Sequence, residues 1–192
     1  MKIGVVALQG AFREHREVLD ALGVETVEVR VPEHLAALDA LVVPGGESTT
    51  IGALLESSQL RGPLADRITD GMPVLGTCAG MILLAREVVD GRPDQRSLRV
   101  IDVVVRRNAY GRQRDSFEAP LDVEGLHGGP FPGVFIRAPR IESAGNGVEV
   151  LARYDEHAVL AREGAVWVTS FHPELSGDLR LHEQFITESE HS

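Results

Sequence analysis

Cys78 is the only cysteine of the chain, and it stands in Gly76-Thr77-Cys78-Ala79-Gly80. The residues before it, Met72-Pro73-Val74-Leu75, read as a buried strand, and those after it, Met81 to Arg86, read as the start of a helix. A nucleophile between two glycines at a strand-to-helix turn is the nucleophile-elbow pattern, with Cys in place of Ser. Glycines there allow a tight turn and keep side chains away from the sulfur. A helix beginning at the thiol would aim free N–H groups and a positive dipole end at it, which favours thiolate. The same pentapeptide also admits a buried structural cysteine, because free Cys often serves as a small core hydrophobe.

A cysteine nucleophile needs a base, and the base needs an orienting group. Of the seven histidines, His172 follows the apolar run Val166 to Ser170 at its expected C-terminal end. Ligands of open α/β sheets bind outside the carboxyl ends of the strands, which is where the elbow also lies. Pro173 biases His172 toward an extended backbone. In an extended stretch residues i and i+2 point the same way, so Glu174 is placed to hydrogen-bond one ring nitrogen and turn the other toward Cys78. Taken alone, His-Pro-Glu also fits a surface loop with a helix-capping Glu. His15, His34, His127, His157, His182 and His191 lack such surroundings and read as solvated or core residues.

Acyl chemistry also needs an oxyanion hole. The elbow offers the N–H of Ala79, and Pro44-Gly45-Gly46, after another apolar strand, offers backbone that can approach a ligand closely. A Walker-type phosphate loop is excluded, since no Gly-Lys-Ser/Thr element exists and Lys2 is the only lysine. The spacing of Gly4 and Gly10 does not give the dinucleotide fingerprint. The histidine and acid spacing suggests no zinc site, and one cysteine makes a thiolate metal site implausible.

These groups need a scaffold, and the hydrophobic pattern supplies one. Ile3–Leu8 is a continuous apolar run of the kind buried on both sheet faces. Phe12, His15, Val18, Leu19 and Leu22 recur at helical spacing, closed by Gly23. A strand over 24–29, a short helix over 33–38 and a strand over 40–43 follow. The Pro44–Thr49 loop ends in good helix N-cap residues, and helices are expected at 49–57 and 60–69. Beyond residue 90 the strand-like segments 98–105, 134–137, 148–154, 158–163 and 165–170 predominate, with a hairpin at Gly164. A helix over 178–188 ends the pattern. The expectation is one domain over 1–192 with a three-layer α/β fold: a mainly parallel central sheet and an antiparallel extension. Residues 106–133 read as a long irregular stretch, which in compact domains is usually functional.

Bulk properties narrow the class. The chain has 192 residues and a formal net charge of −10, which argues against nucleic acid or an anionic membrane as a partner. A single cysteine forms no internal disulfide and fits a reducing compartment. No apolar run approaches the length of a membrane span, and Ile3–Leu8 is too short for a secretory signal, so a cytoplasmic location is expected.

The elbow, the upstream Gly-Gly loop and the late His-Pro-Glu resemble the class I, triad-type glutamine amidotransferases over nearly the whole chain. Most families of that class carry Gln two residues after the second elbow glycine, where this chain has Ile82. Ala7-Leu8-Gln9-Gly10-Ala11, Pro44 to Thr49, Gly76 to Ile82, Arg107-Asn108-Ala109-Tyr110-Gly111-Arg112-Gln113 and Asp115-Ser116-Phe117-Glu118 together resemble the glutaminase subunits of pyridoxal 5′-phosphate synthases. The resemblance implies a triad of Cys78, His172 and Glu174 and an oxyanion hole of Gly46 and Ala79. It implies glutamine binding by Gly46, Glu47, Ser48, Arg107, Ile136 and Arg137. Free glutamine carries a carboxylate and an ammonium, so a cation from Arg107 or Arg137 and acceptors such as Glu47 make chemical sense. Without the resemblance, Arg107 next to Arg106 also fits a solvated surface charge. The implied reaction hydrolyses L-glutamine without metal or cofactor. The implied partner is a pyridoxal 5′-phosphate synthase (lyase) subunit in a large hetero-oligomer, with 106–133 and the Gln9-Gly10 loop as the expected docking face.

Overall fold

The computed structural model describes residues 1–91, 96–107, 109 and 116–191. Parts of two motifs, Asn108, Tyr110–Gln113 and Asp115, therefore lie outside the described residues.

The first half alternates as the sequence predicts. β1 (Lys2–Val6), α1 (Phe12–Ala21), β2 (Glu25–Val29), β3 (Ala40–Val43), α2 (Ser48–Ser57), α3 (Arg61–Thr69) and β4 (Val74–Thr77) lead to α4 (Ala79–Leu84). The segment expected as a short helix at 33–38 is a 3-10 turn, Pro32–Leu35. The helix after the elbow is also shorter than expected, because Ala85 leaves it with ψ 151° to start β5 (Ala85–Val88).

The second half is strand-rich: β6 (Ile101–Arg106), β7 (Ser116–Leu121), β8 (Phe131–Ile136), β9 (Arg140–Ala144), β10 (Glu149–Tyr154), β11 (His157–Glu163) and β12 (Val166–Thr169), then α5 (Arg180–Ser189). The stretch expected to be irregular at 106–133 thus contains β7, which pairs antiparallel with β8. Pro120 disguised it, and a two-stranded ribbon tolerates Pro because each strand has a free edge.

The main sheet has seven strands in the order β10-β11-β12-β4-β3-β1-β2. β2, β1, β3, β4 and β12 run parallel. β10, β11 and β12 form the antiparallel extension. Two small sheets, β5-β6-β9 and β7-β8, stand apart from it.

The apolar runs are continuous because both faces of this sheet are covered. Leu41, Val43 and Val74 pack on one side with Ile51, Leu55 and Leu64. Ala40, Val42 and Leu75 pack on the other with Leu19, Trp167, Phe171 and Phe185. Each of the Val, Leu, Ile and Phe side chains contributes about 1.5–3 kcal/mol on burial. The consequence for chemistry is positional. β12, β4 and β3 are adjacent and parallel, so His172, Cys78 and the Gly45-Gly46 loop emerge side by side from one sheet edge.

Candidate active site

The elbow is pinned by its neighbours. Cys78 takes φ 49° and ψ −101°, a left-handed conformation that costs a non-glycine residue free energy and persists only where the surroundings enforce it. Its N–H donates to Thr169 O at 2.8 Å, locking the turn to the end of β12. The second elbow glycine has a different task from the one expected. A Cβ on Gly80 would lie 2.0 Å from Val43 O, so glycine there lets α4 lie against β3; access to the sulfur is not what it secures.

His172 leaves β12 beside the elbow, since Thr169 and Thr77 are register partners. Its N–H donates to Val134 O at 2.8 Å. The expected extended His-Pro-Glu is instead a 3-10 turn, Pro173–Leu175, because proline is preset for the first helical position. The side-chain pairing survives this change: His172 Nδ1 and Glu174 Oε1 are 2.7 Å apart. Cys78, His172 and Glu174 are 6%, 7% and 7% exposed. Burial works against a charged His172, but hydrogen bonds and charge from Cys78 and then Glu174 outweigh it and raise the imidazole to about 10. These surroundings favour the protonated imidazole. Burial also works against a charged Glu174, and His15 and His172 overcome it, lowering the carboxyl.

A cavity of about 270 Å³ opens over the sulfur, a size suited to a small ligand. Cys78, Ala79 and His172 form its floor, with Gly46, Glu47 and Ser48 on one wall and Arg107, Ile136 and Arg137 on another. The structure therefore brings together every residue expected at the site except Glu174, which stands behind His172. Arg107 and Arg106 separate cleanly. Arg106 points away and pairs with Glu142 at 2.6 Å, whereas Arg107 lines the cavity and lies 3.3 Å from Glu47 Oε1.

Glu47 is more committed than expected. It, and neither Ser48 nor Thr49, caps α2: its carboxylate accepts from the N–H and hydroxyl groups of Thr49 and Thr50. Burial raises its pKa, but these bonds prevail and hold it at about 2.

In the glycine loop, Gly45 N–H donates to Thr77 Oγ1 at 3.0 Å and Glu47 N–H donates to Gln9 Oε1 at 2.8 Å. A Cβ on Gly45 would lie 2.4 Å from the His172 ring, so glycine admits the imidazole. Gln9 and Ile82, never singled out as ligands, complete the cavity wall. Gln9 arrives because Ala11 N–H donates to Gly45 O at 2.9 Å, tying the loop after β1 to the loop after β3. Gly10 in one loop and Gly45-Gly46 in the other are the sequence signal for that approach.

No helix among the described residues is long and apolar enough to cross a membrane. Among the described residues no three His, Cys, Asp or Glu side chains gather as a metal site.

An elbow cysteine, a histidine and a carboxylate thus stand in line at the carboxyl ends of a parallel sheet on an α/β scaffold. The chain belongs to the SNO glutamine amidotransferase family, which it matches over residues 5–191. It is 57% identical over 185 residues to the pyridoxal 5′-phosphate synthase subunit PdxT of Frankia alni, covering 96% of this chain and 93% of that protein. It is 58% identical over 187 residues to the PdxT subunit of Pelotomaculum thermopropionicum, covering 97% and 94%. A solved glutamine amidotransferase superposes with a TM-score of 0.93 at 53% identity, covering 98% of each chain. The PurLQS structure from Thermotoga maritima, at TM-score 0.68 and 17% identity over 97% of this chain and 98% of that chain, shares the fold alone.

Proposed function

We propose that this chain is the glutaminase subunit of a pyridoxal 5′-phosphate synthase, hydrolysing L-glutamine to glutamate and ammonia for vitamin B6 biosynthesis. The observation that carries the reading is the buried Cys78–His172–Glu174 array, with Cys78 and His172 at the floor of the cavity and Glu174 bonded behind His172. Identities of 57% and 58% to PdxT subunits over nearly the whole chain support the same reading.

The Cys78 thiolate attacks the γ-carboxamide carbon of glutamine, and the carbonyl oxygen becomes an oxyanion. Ala79 N–H, in the first turn of α4 where no helical acceptor exists, and Gly46 N–H stabilise that charge. The imidazolium of His172 gives its proton to the leaving nitrogen, the C–N bond breaks, and ammonia departs from a γ-glutamyl thioester. Neutral His172 then takes a proton from water, whose oxygen attacks the thioester carbon. The C–S bond breaks, glutamate leaves, and the thiolate–imidazolium pair is restored. Arg107 and Arg137 hold the substrate α-carboxylate, while Ser48, Ile136 and Glu47 shape the wall.

Ammonia must reach its acceptor before it is lost to solvent. The PdxT relatives are named as subunits of pyridoxal 5′-phosphate synthases, so a partner synthase subunit receives it in a larger assembly. Co-purification with that synthase and glutamine-dependent ammonia release in the same sample test the proposal. Low activity alone and a strong rise with the synthase are expected; equal rates with and without it would overturn the coupling.

A further inference from the structure

The buried polar chain does not stop at Glu174. His15, on α1, and His182, on α5, are both fully buried. His15 Nδ1 lies 3.0 Å from His182 Nε2. On its other side, His15 Nε2 lies 3.3 Å from Glu174 Oε2 and 3.1 Å from Thr77 Oγ1. Glu174 Oε1 is engaged by His172, whereas Oε2 is buried and accepts no well-aligned hydrogen bond among the described residues. His15 Nε2 is the group that faces it. The single residue His15 therefore touches the acid of the triad and the threonine that precedes the nucleophile.

The tautomers follow from what must face the Glu174 carboxylate. Burial, the dominant influence, lowers the pKa of His15 against the opposing charge of Glu174; His172 lowers it further and Glu14 on its own helix raises it. Burial and then His15 lower His182 to about 3, with Glu174 opposing. Two neutral rings share one proton across the 3.0 Å contact. If His15 gave its Nδ1–H to His182, a bare Nε2 lone pair would face a carboxylate, and His182 Nδ1–H would be a buried donor without an acceptor. If His182 gives Nε2–H to His15, then His15 Nε2–H faces Glu174 Oε2 and Thr77 Oγ1. A lone pair on His182 Nδ1 and the Thr77 hydroxyl proton then lack a partner among the described residues, but the buried carboxylate faces a donor instead of a lone pair, and an unserved buried charge is the costlier defect.

We propose that His15, set in its Nε2–H tautomer by His182, is a positioning residue that holds the Glu174 oxygen not used by His172 and braces Thr77 beneath the elbow. The proposal rests on the reading of Cys78, His172 and Glu174 as the triad. It also ties the glycine loop in, because Thr77 Oγ1 accepts from Gly45 N–H and Ala11, just before α1, donates to Gly45 O. One buried contact thereby sets the acid, the elbow and the loop together.

The test uses the full chain in complex with its synthase. His15→Leu removes the donor, and kcat for ammonia release is expected to fall about tenfold or more, as small displacements of a reacting group do. The KM for glutamine stays within about twofold, and the His172 ring titrates at lower pH because Glu174 supports it less firmly. His15→Gln, which carries an amide N–H near the Nε2 position, restores most of kcat. A folded His15→Leu complex with wild-type kcat and wild-type His172 titration would overturn the proposal, as would His15→Gln as impaired as His15→Leu. If His15→Leu fails to fold, ring ¹⁵N NMR of the wild-type chain decides. Nε2–H on His15 is expected, and Nδ1–H or a charged ring at neutral pH would overturn it. Cys78→Ala separates the two readings. Ammonia release by that variant sinks the triad itself, whereas a dead Cys78→Ala beside a wild-type-like His15→Leu sinks only the positioning role.

Discussion

The two sides of the cavity are built differently. The side proposed for the chemistry lies at the ends of β4 and β12, where Cys78, His172 and Glu174 are nearly excluded from solvent and stand on a further buried layer of His15, His182 and Thr77. The side proposed to bind glutamine is carried by segments at the rim, with Arg137 exposed and the Arg107 and Glu47 side chains 20% and 45% exposed. In the proposed reaction a low-dielectric floor fixes charge and geometry at the reacting atoms, and a wetter rim selects the substrate and admits it. Changes to the floor should therefore act on kcat, and changes to the rim on KM.

The sharpest break in that contrast would come from His172→Ala. Without its proton donor and base, kcat should fall about 10³-fold or more while glutamine binding persists; comparable kcat would mean the floor does not do the chemistry. Glu174→Gln should cost about 10²-fold in kcat. It should also lower the pH at which His172 titrates, followed by ring NMR, relative to wild type. The sign follows because Glu174 raises His172, so neutralising it lets burial pull the value down. Gly80→Ala probes the scaffold beneath both sides. Its Cβ would meet Val43 O, and denaturant unfolding should show a loss of about 2 kcal/mol from overpacking. At the rim, Arg107→Gln should raise KM about tenfold, the worth of one charge-assisted hydrogen bond, with kcat nearly unchanged. A kcat effect as large as that of Glu174→Gln would erase the distinction.

The floor was legible because its residues carry local signals. Gly76 to Gly80 announces a turn, Val74-Leu75 and Val166 to Thr169 announce buried strands, and the carboxyl-end rule brings their tails together. The network behind the floor was not legible. His15 and His182 are 167 residues apart and look like core histidines of two amphipathic helices; only the layer order places one against Glu174. The fold was readable in the alternating half and less so afterwards. β5 follows α4 without a break and exposes Arg86 and Glu87, while β9 carries Glu142, Ser143 and Ala144 outward. Neither shows the apolar run that marks a central strand, because both belong to a small three-stranded sheet. Local rules also misjudged Glu47. Ser48 and Thr49 are the better intrinsic caps, but the loop geometry gives the role to Glu47.

The central claim is that Cys78 is the nucleophile of a glutaminase, and the most direct measurement compares ammonia release from L-glutamine by wild-type and Cys78→Ala chains, each bound to the synthase. The account predicts turnover at background in the variant, with unchanged thermal unfolding and unchanged co-elution with the synthase. Turnover within about tenfold of wild type, far above the residual activity expected of a triad stripped of its nucleophile, would contradict it.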